Sequence, residues 1–379
     1  PVCQTPVETG CPYDCGLCPE HGQHTCTTLL EVTSRCNLGC PVCFAHSQQK
    51  GQDPELSKLK QDLEYIRNNA GACTLQISGG EPTLRDDLEH IISHAAKQRF
   101  SLLQLNSNAL RFAREADYAQ KLRDAGLQSV FMQFDALQDE AYISLRGKPL
   151  LDLKIRALEV LSEAGLGVVL VPTLIPGINT QDIGKLVRLG LKYYPTVRGV
   201  HFQPISYFGR YPQTPADEAR LTLPEIMRAL EEQTGGLIQV GDFLPPGCEH
   251  ALCSFHATYM VDESKGLQRL GPECSCSSAP ILAADGARQA VALTARRWQI
   301  PENSDQKVPA EIDDLDRFLL RAGKQTFTVS AMAFQDVWTL DLERLRGCCI
   351  HVLAPDGRLI PFCAYNLTSA KGKSLYRIS

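Results

Sequence analysis

The 379-residue sequence lacks a long apolar run, a block of like charge, an internal repeat and a low-complexity tract. Its longest apolar stretch, residues 165–178, contains two prolines, and a membrane-spanning helix needs ~20 residues. That stretch reads as a buried strand and its following loop, so no transmembrane segment is expected. Lys and Arg number 38 against 43 Asp and Glu, a net charge of −5. Without a basic footprint the chain is not expected to bind nucleic acid. No secretory leader is visible, but the sequence opens on Pro1, which leaves a trimmed N-terminal segment open. A hydrophobic fraction of 44% is enough to bury one large core with appendages, or two cores.

Cysteine is the abundant residue, with 16 copies. Many cysteines mean either disulfides in a secreted chain or metal ligands in a reducing compartment. Disulfide scaffolds are usually short, whereas this chain is long and its cysteines fall in tight groups. The pattern favours metal and a cytoplasmic setting.

From residue 27 to 204 short apolar runs alternate with amphipathic stretches. Strands are expected at 28–32, 73–78, 102–105, 129–134, 168–172 and 199–203, and helices at 56–69, 88–98, 113–125, 151–163 and 181–194. Such alternation implies βα units and a parallel sheet, an α/β fold that either stays open or curls toward a barrel. Chemistry in such folds collects at the C-terminal strand ends. Three segments follow: a Cys-rich loop over 1–26, the α/β core over 27–204, and a C-terminal region over 205–379. The last has one helix at 224–233 and a poorly periodic insertion near 264–310. It ends in a hairpin turning at Asp356 and Gly357.

After the first expected strand, Cys36, Cys40 and Cys43 stand at the spacing C-x3-C-x2-C. Three thiolates on a four-iron cluster leave one iron open for a small chelating ligand. A zinc site with His46 as fourth ligand fits the same spacing. Just past the second expected strand comes Gly79-Gly80-Glu81-Pro82. The glycines permit close backbone approach to a ligand, Glu81 can accept from an α-ammonium group, and Pro82 stiffens the loop. Polar residues at other strand ends are candidates by position: Asn106 and Asn108, Gln133 and Asp135, Thr173, and Gln203. Arg146, Lys148 and Arg156 read equally well as anion partners or as solvated surface charges.

The cysteine triplet and GGEP, in this order after successive strands, resemble the two short signatures of the radical S-adenosylmethionine (SAM) superfamily. The resemblance implies a partial (β/α)6 barrel, with a [4Fe–4S] cluster on Cys36, Cys40 and Cys43 that chelates SAM. It further implies reductive cleavage of SAM to a 5′-deoxyadenosyl radical that abstracts hydrogen from an inert C–H bond. A reducing donor such as ferredoxin or flavodoxin is implied as partner.

Cys11, Cys15, Cys18 and Cys26 form a second group, matching an auxiliary four-iron cluster, a rubredoxin-like single iron or zinc. The stretch from Cys11 to Ala45, with "MQFDAL", "LRGKP", "VRGVHFQPISYFGR" and "GCCIHVLAPDGRLIPFCAYN", is similar to the group containing tetraether lipid synthase and the cobalamin-independent pterin methylases. In length it is nearest to that group's short (seleno)protein branch. That resemblance implies a further auxiliary site built from Cys248, Cys253, Cys363 and one of the adjacent pair Cys348 and Cys349. Cys348 is favoured as the ligand, and Cys349 is the candidate catalytic thiol. Cys73 reads as a buried apolar residue. The expected activity is methyl or one-carbon transfer to a small or medium polar, pterin-like substrate. The alternatives are radical coupling of lipid chains, or an accessory protein that matures a partner or cofactor.

Overall fold

The computed structural model describes residues 7–16, 21–211, 214–262, 266–271, 282–300 and 325–377. At its centre is one sheet. Six strands, β1 (Thr27–Glu31), β2 (Thr74–Ser78), β3 (Leu102–Ser107), β4 (Ser129–Gln133), β5 (Gly167–Val171) and β7 (Val197–Pro204), pair in parallel in that order. The short β6 (Thr173–Leu174) pairs with β7 off this path. These strands are buried along nearly their whole length, as sheets covered by helices on one face and curled on the other require. Helices Leu56–Ala70, Leu88–Lys97, Leu151–Glu163 and Ile183–Lys192 supply the outer layer, with Leu59, Leu63, Ile66, Ile91, Leu158 and Leu186 in the main core.

All six expected strands are present, displaced at most by two residues or so at their ends. The expected helix at 113–125 is instead two, Leu110–Arg114 and Ala116–Asp124, separated by Glu115 in an extended conformation. Helix Asp139–Arg146 was not expected, because eight residues carry too little periodicity to stand out.

The sheet does not end at residue 204, where the sequence suggested a boundary. β10 (Thr326–Met332) joins β7 in parallel, and β11 (Ile350–Leu353) joins β1 in parallel. β8 (Ser254–Asp262) and β9 (Gly266–Leu270) continue antiparallel beyond β10, and β12 (Leu359–Pro361) continues beyond β11. The expected hairpin is β11–β12, with Gly357 at φ +85° in its turn. The region past 204 is therefore built onto both edges of the core sheet.

The stretch expected as a poorly periodic insertion contains helix Ala283–Trp298. At 1.5 Å rise per residue it spans roughly 24 Å. It crosses the N-terminal ends of the strands. Ala287 O lies 3.9 Å from Cys26 Sγ before β1, Gln299 donates to Ser101 O before β3, and Arg198 at the start of β7 donates to Arg297 O. The helix thus forms a floor under the sheet. Among the described residues no helix is long and apolar enough to cross a membrane.

Candidate active site

One cavity of about 430 Å³ runs along the inner face of the sheet. Its upper part is lined by Cys36, Cys40, Cys43, Gly79, Gly80 and Asn106, and its lower part by residues of the floor helix. The loop after β1 carries the three cysteines. Arg210 ties that loop down by donating to Cys40 O at 2.8 Å and Ser47 O at 2.9 Å, and its main chain exchanges two hydrogen bonds with Cys43. Burial pushes the Cys36 thiol up to about 12, with the Glu81, Cys40 and Cys43 charges adding to the shift. Cys36, Cys40 and Cys43 are not gathered within 4.8 Å of one another. A single zinc ion with Zn–S bonds of ~2.3 Å would draw its ligands closer than this, so the spread suits a larger polynuclear group.

Gly79 and Gly80 make a close approach, and the partner is the cysteine loop itself. A Cβ on Gly80 would collide with Arg35 O, and one on Gly79, at φ +129°, with Thr33 O. Gly80 N donates to Thr33 O and Glu81 N to Arg35 O, both at 2.8 Å. The motif is therefore zipped to the segment leading into Cys36. Pro82 opens a 3-10 turn behind it.

The Glu81 side chain lines the cavity but is engaged mainly by the protein itself. It is 1% exposed, and its carboxylate accepts four hydrogen bonds. They come from Thr83 N at 3.1 Å, Thr83 Oγ1 at 2.6 Å, Ser107 Oγ at 2.8 Å and Asn108 N at 2.7 Å. Glu81 joins the turn after β2 to the end of β3, and is a positioning residue whose acceptors are largely taken.

Four of the strand-end candidates divide in two, while Asn108 and Gln133 are held by Asn37, Leu110 and Lys154. Asn106 and Gln203 line the cavity with capacity to spare: Asn106 Oδ1 is buried without a hydrogen-bond partner, and among the described residues the Gln203 side chain makes no hydrogen bond. Asp135 and Thr173 are engaged by Arg146. The guanidinium makes a bidentate pair with Asp135 at 2.8 and 2.7 Å and donates to Thr173 Oγ1 at 3.2 Å, while Thr173 N donates to Asp135 Oδ1. Arg146 is 7% exposed and Asp135 is fully buried. Arg146 also bonds the Cys40 thiol, and these anionic neighbours raise its pKa against the opposing cost of burial. Of the three basic residues left open by sequence, Arg146 is thus an internal anion partner. Lys148 is exposed with its ammonium near Asn37 O, and Arg156 is a surface partner of Glu159.

Sequence reasoning missed Lys154. It is fully buried in helix Leu151–Glu163 and donates to Asn108 O at 2.6 Å and to Gln133 O at 2.8 Å, with Gln133 Oε1 at 3.3 Å. Burial pulls its ammonium down to about 8. A lysine on an amphipathic helix defaults to the solvated face, so only its inward register could have revealed it.

Residues 30–190 match the family model described as "Radical SAM superfamily". The chain is 33% identical over 412 aligned positions to the 7,8-dihydro-6-hydroxymethylpterin dimethyltransferase of Methanocaldococcus jannaschii, covering 96% of this chain and 81% of that protein. It is 30% identical over 177 positions to the GTP 3′,8-cyclase of Nautilia profundicola, covering 46% of this chain and 55% of that protein. Among solved structures, Streptococcus suis SuiB bound to precursor peptide SuiA aligns over 56% of this chain and 46% of that one, at 16% identity and a TM-score of 0.47. The chain belongs to the radical SAM superfamily. It is an enzyme, and its cofactors are a [4Fe–4S] cluster and SAM.

The structure of this radical SAM enzyme regroups the remaining cysteines. Cys26 leaves the N-terminal set and joins Cys248 and Cys349, all three buried, with Sγ atoms within 4.8 Å of one another. β1–β11 pairing does this: Thr27 faces Ile350 in register, and Cys26 N donates to Cys349 O at 2.8 Å. Cys248 accepts from the other two thiols, which pulls its pKa down to about 4 and holds theirs up. Glu249 Oε2 lies 3.9 Å from Cys349 Sγ. Cys349, expected as a solitary reactive thiol, is therefore one of a set. Cys348 points elsewhere and shares electrostatic contact with Cys253 and Cys363. Cys11 and Cys15 approach to 3.7 Å and pack with Leu345, Val352 and Cys363. Cys18, Cys274 and Cys276 lie outside the described residues. Cys73 is 1% exposed beside Thr28, as an apolar residue would be.

Proposed function

We propose that Cys36, Cys40 and Cys43 hold the [4Fe–4S] cluster, that SAM lies beside Gly79–Gly80 within reach of Asn106 and Gln203, and that the enzyme transfers a methyl or one-carbon unit to a polar, pterin-like heterocycle. Bound there, cluster and SAM supply reductive cleavage of the C5′–S bond and, through it, hydrogen-atom abstraction. The chain's own residues position and shield. Arg146 braces Cys40 against Asp135, Glu81 fixes the motif loop to β3, and Lys154 ties the end of β4 to the start of the turn after β3.

The observation that carries the substrate class is the polarity of the inner face. Interiors of closed parallel barrels are dominated by bulky branched apolar residues. Here Gln76 donates to Gln104 Oε1 at 2.9 Å, Gln104 donates to Ser129 Oγ at 3.0 Å, and His201 meets Ser330 at 2.9 Å. Gln76, His201 and Ser330 line the cavity. These pairs leave Asn106 Oδ1 and, among the described residues, His201 Nε2 open, which suits a ligand with hydrogen-bonding edges, whereas a lipid chain would leave them unpaired. The likeness to a pterin dimethyltransferase supports the same reading. The thiols of Cys26, Cys248 and Cys349, and those of Cys253, Cys348 and Cys363, are auxiliary metal sites in this reading, fed by a low-potential electron donor.

Anaerobic reconstitution with 7,8-dihydro-6-hydroxymethylpterin, SAM and a strong reductant tests it, alongside a parallel assay with an isoprenoid glycerol ether. Expected are 5′-deoxyadenosine and a product heavier by one or two methyl groups from the pterin only. Turnover of the ether lipid alone would replace this reading with chain coupling.

A further inference from the structure

The lower end of the cavity holds a cation without an anion. Arg297, on the last turn of the floor helix, lines the cavity and is only partly exposed. Among the described residues its guanidinium has no hydrogen bond and no carboxylate partner. Burial shifts its pKa downward, and among the described residues no acid opposes that shift. Its charge reaches His256, another cavity-lining residue with no side-chain partner among the described residues, and adds to the burial that takes that imidazole down to about 4. The other arginine lining the cavity, Arg146, is paired with Asp135. A desolvated guanidinium is costly until an anion meets it, and its planar fork is suited to two-point capture of carboxylate or phosphate.

The surroundings describe the rest of the ligand. Phe131 and Trp298 stand 5.4 Å apart between ring centroids, with His201 5.3 Å from Phe131 and 6.0 Å from Trp298. Together they form an aromatic wall on the same cavity. His201 Nδ1 is engaged by Ser330, while Nε2 has no partner among the described residues. Its pKa of about 4, set by burial, keeps the imidazole neutral, so it can donate to or accept from a heterocycle edge.

We propose that Arg297 captures an anionic group, a carboxylate or phosphate, on the substrate, so that the substrate is a flat polar heterocycle carrying an anionic arm. The arm points to the floor helix, and the ring lies along Phe131, Trp298 and His201, leaving the opposite edge toward Cys36, Cys40 and Cys43. This rests on the pterin-like reading above and adds a charge requirement to it.

Calorimetric binding to the SAM-loaded, anaerobically reconstituted enzyme tests the idea with three probes: pterin-6-carboxylate, 6-hydroxymethylpterin and inorganic phosphate. The carboxylate is expected to bind roughly tenfold or more tighter than the hydroxymethyl form, as a charge-assisted bidentate contact provides. Arg297→Gln should abolish the preference and Arg297→Lys should restore part of it, with SAM affinity unchanged in both. Equal affinity of the two pterins for the unaltered enzyme, a comparison needing no variant, would overturn the proposal. So would a preference that survives Arg297→Gln. Phosphate binding that depends on Arg297, with neither pterin bound, would keep the anion subsite and sink the pterin reading. No binding of any probe would end both.

Discussion

Glu81→Gln separates two roles for the most conspicuous acid in the motif loop. If the carboxylate's work is to receive a SAM ammonium group, the variant should fold normally and bind SAM weakly. The geometry predicts otherwise, because four donors converge on this side chain at 1% exposure. A glutamine of the same shape puts an NH2 where one oxygen was. If it replaces Oε2, it faces Asn108 N, and that buried donor loses its acceptor at a cost of about 1–3 kcal/mol. The bonds from Thr83 and Ser107 then weaken from charge-assisted to neutral, about 1 kcal/mol each. The opposite amide orientation confronts Thr83 N, an obligate donor, and forces the Thr83 and Ser107 hydroxyls to turn from donors to acceptors. Glu81→Gln should therefore cost about 4–6 kcal/mol, a large share of the ~5–15 kcal/mol a domain has. Urea unfolding of the anaerobic protein measures this, with equilibrium dialysis of SAM beside it. Gln203→Ala is the control, expected to lose SAM affinity while unfolding within ~0.5 kcal/mol of the parent; Asn106→Ala should lose SAM affinity too, with about 1 kcal/mol more for its lost bond to Gln76 Oε1. Glu81→Gln unfolding like the parent while its SAM affinity falls tenfold would refute the positioning argument.

Other outcomes follow from the same contacts. Asp135→Asn and Arg146→Met, each orphaning a buried charge, should cost about 3–5 kcal/mol singly, and the double variant less than their sum; strict additivity in urea would show the pair is not coupled. Single serine substitutions of Cys26, Cys248 and Cys349 should each remove the same increment of metal from the reconstituted enzyme, and combining them should remove no more. An undiminished metal content in Cys349→Ser would exclude it from that site. Burial holds the His201 imidazole down to about 4, whereas the unfolded chain protonates near 6.5. Its contribution is thus complete above pH 6.5 and is lost as pH falls toward 4, by about 3 kcal/mol. His201→Phe should flatten the fall in unfolding midpoint between pH 7 and 5, and an unchanged slope would assign the acid sensitivity to other groups.

The six core strands were legible because parallel strands buried on both faces read as short apolar runs, and the two motifs because their spacing is local. What escaped depends on register or on small residues. Cys26 lies close in sequence to Cys11 and Cys15, and chain proximity suggested a shared site. The pairing of Thr27 with Ile350 overrules that proximity and delivers Cys349 instead. Lys154 escaped, and Arg146 stayed open between two readings, because a charged residue on a helix is normally solvated, and only the buried acceptors at the ends of β3 and β4 draw them inward. The floor helix escaped for a different reason. Its inner stripe, Gly286, Gln289, Ala290, Leu293, Thr294 and Arg297, falls at helical spacing but contains one large apolar residue, so no hydrophobic period marks it. Small residues are what the site needs there: Ala287 packs directly against Cys26, Cys248 and Cys349, where a bulky side chain would displace the thiols.

The position of that thiol trio gives the C-terminal region its meaning. Cys26 precedes β1 and the motif cysteines follow it, and a strand of five residues rises roughly 16 Å. Both sets line the same cavity. The cavity is therefore bounded by thiols at each end of the sheet and by the aromatic wall between them. Cys248 and Cys349 come from the region past residue 204, and that region reaches the cavity only because β10 and β11 extend the two edges of the core sheet. Cutting it away would remove two of the trio and the floor together, and would leave β1 and β7 as bare edges. The lower thiol site and the deep end of the cavity are thus one structural event: the sheet edges are completed, the floor helix is seated, and the pocket acquires both its depth and its second set of thiols.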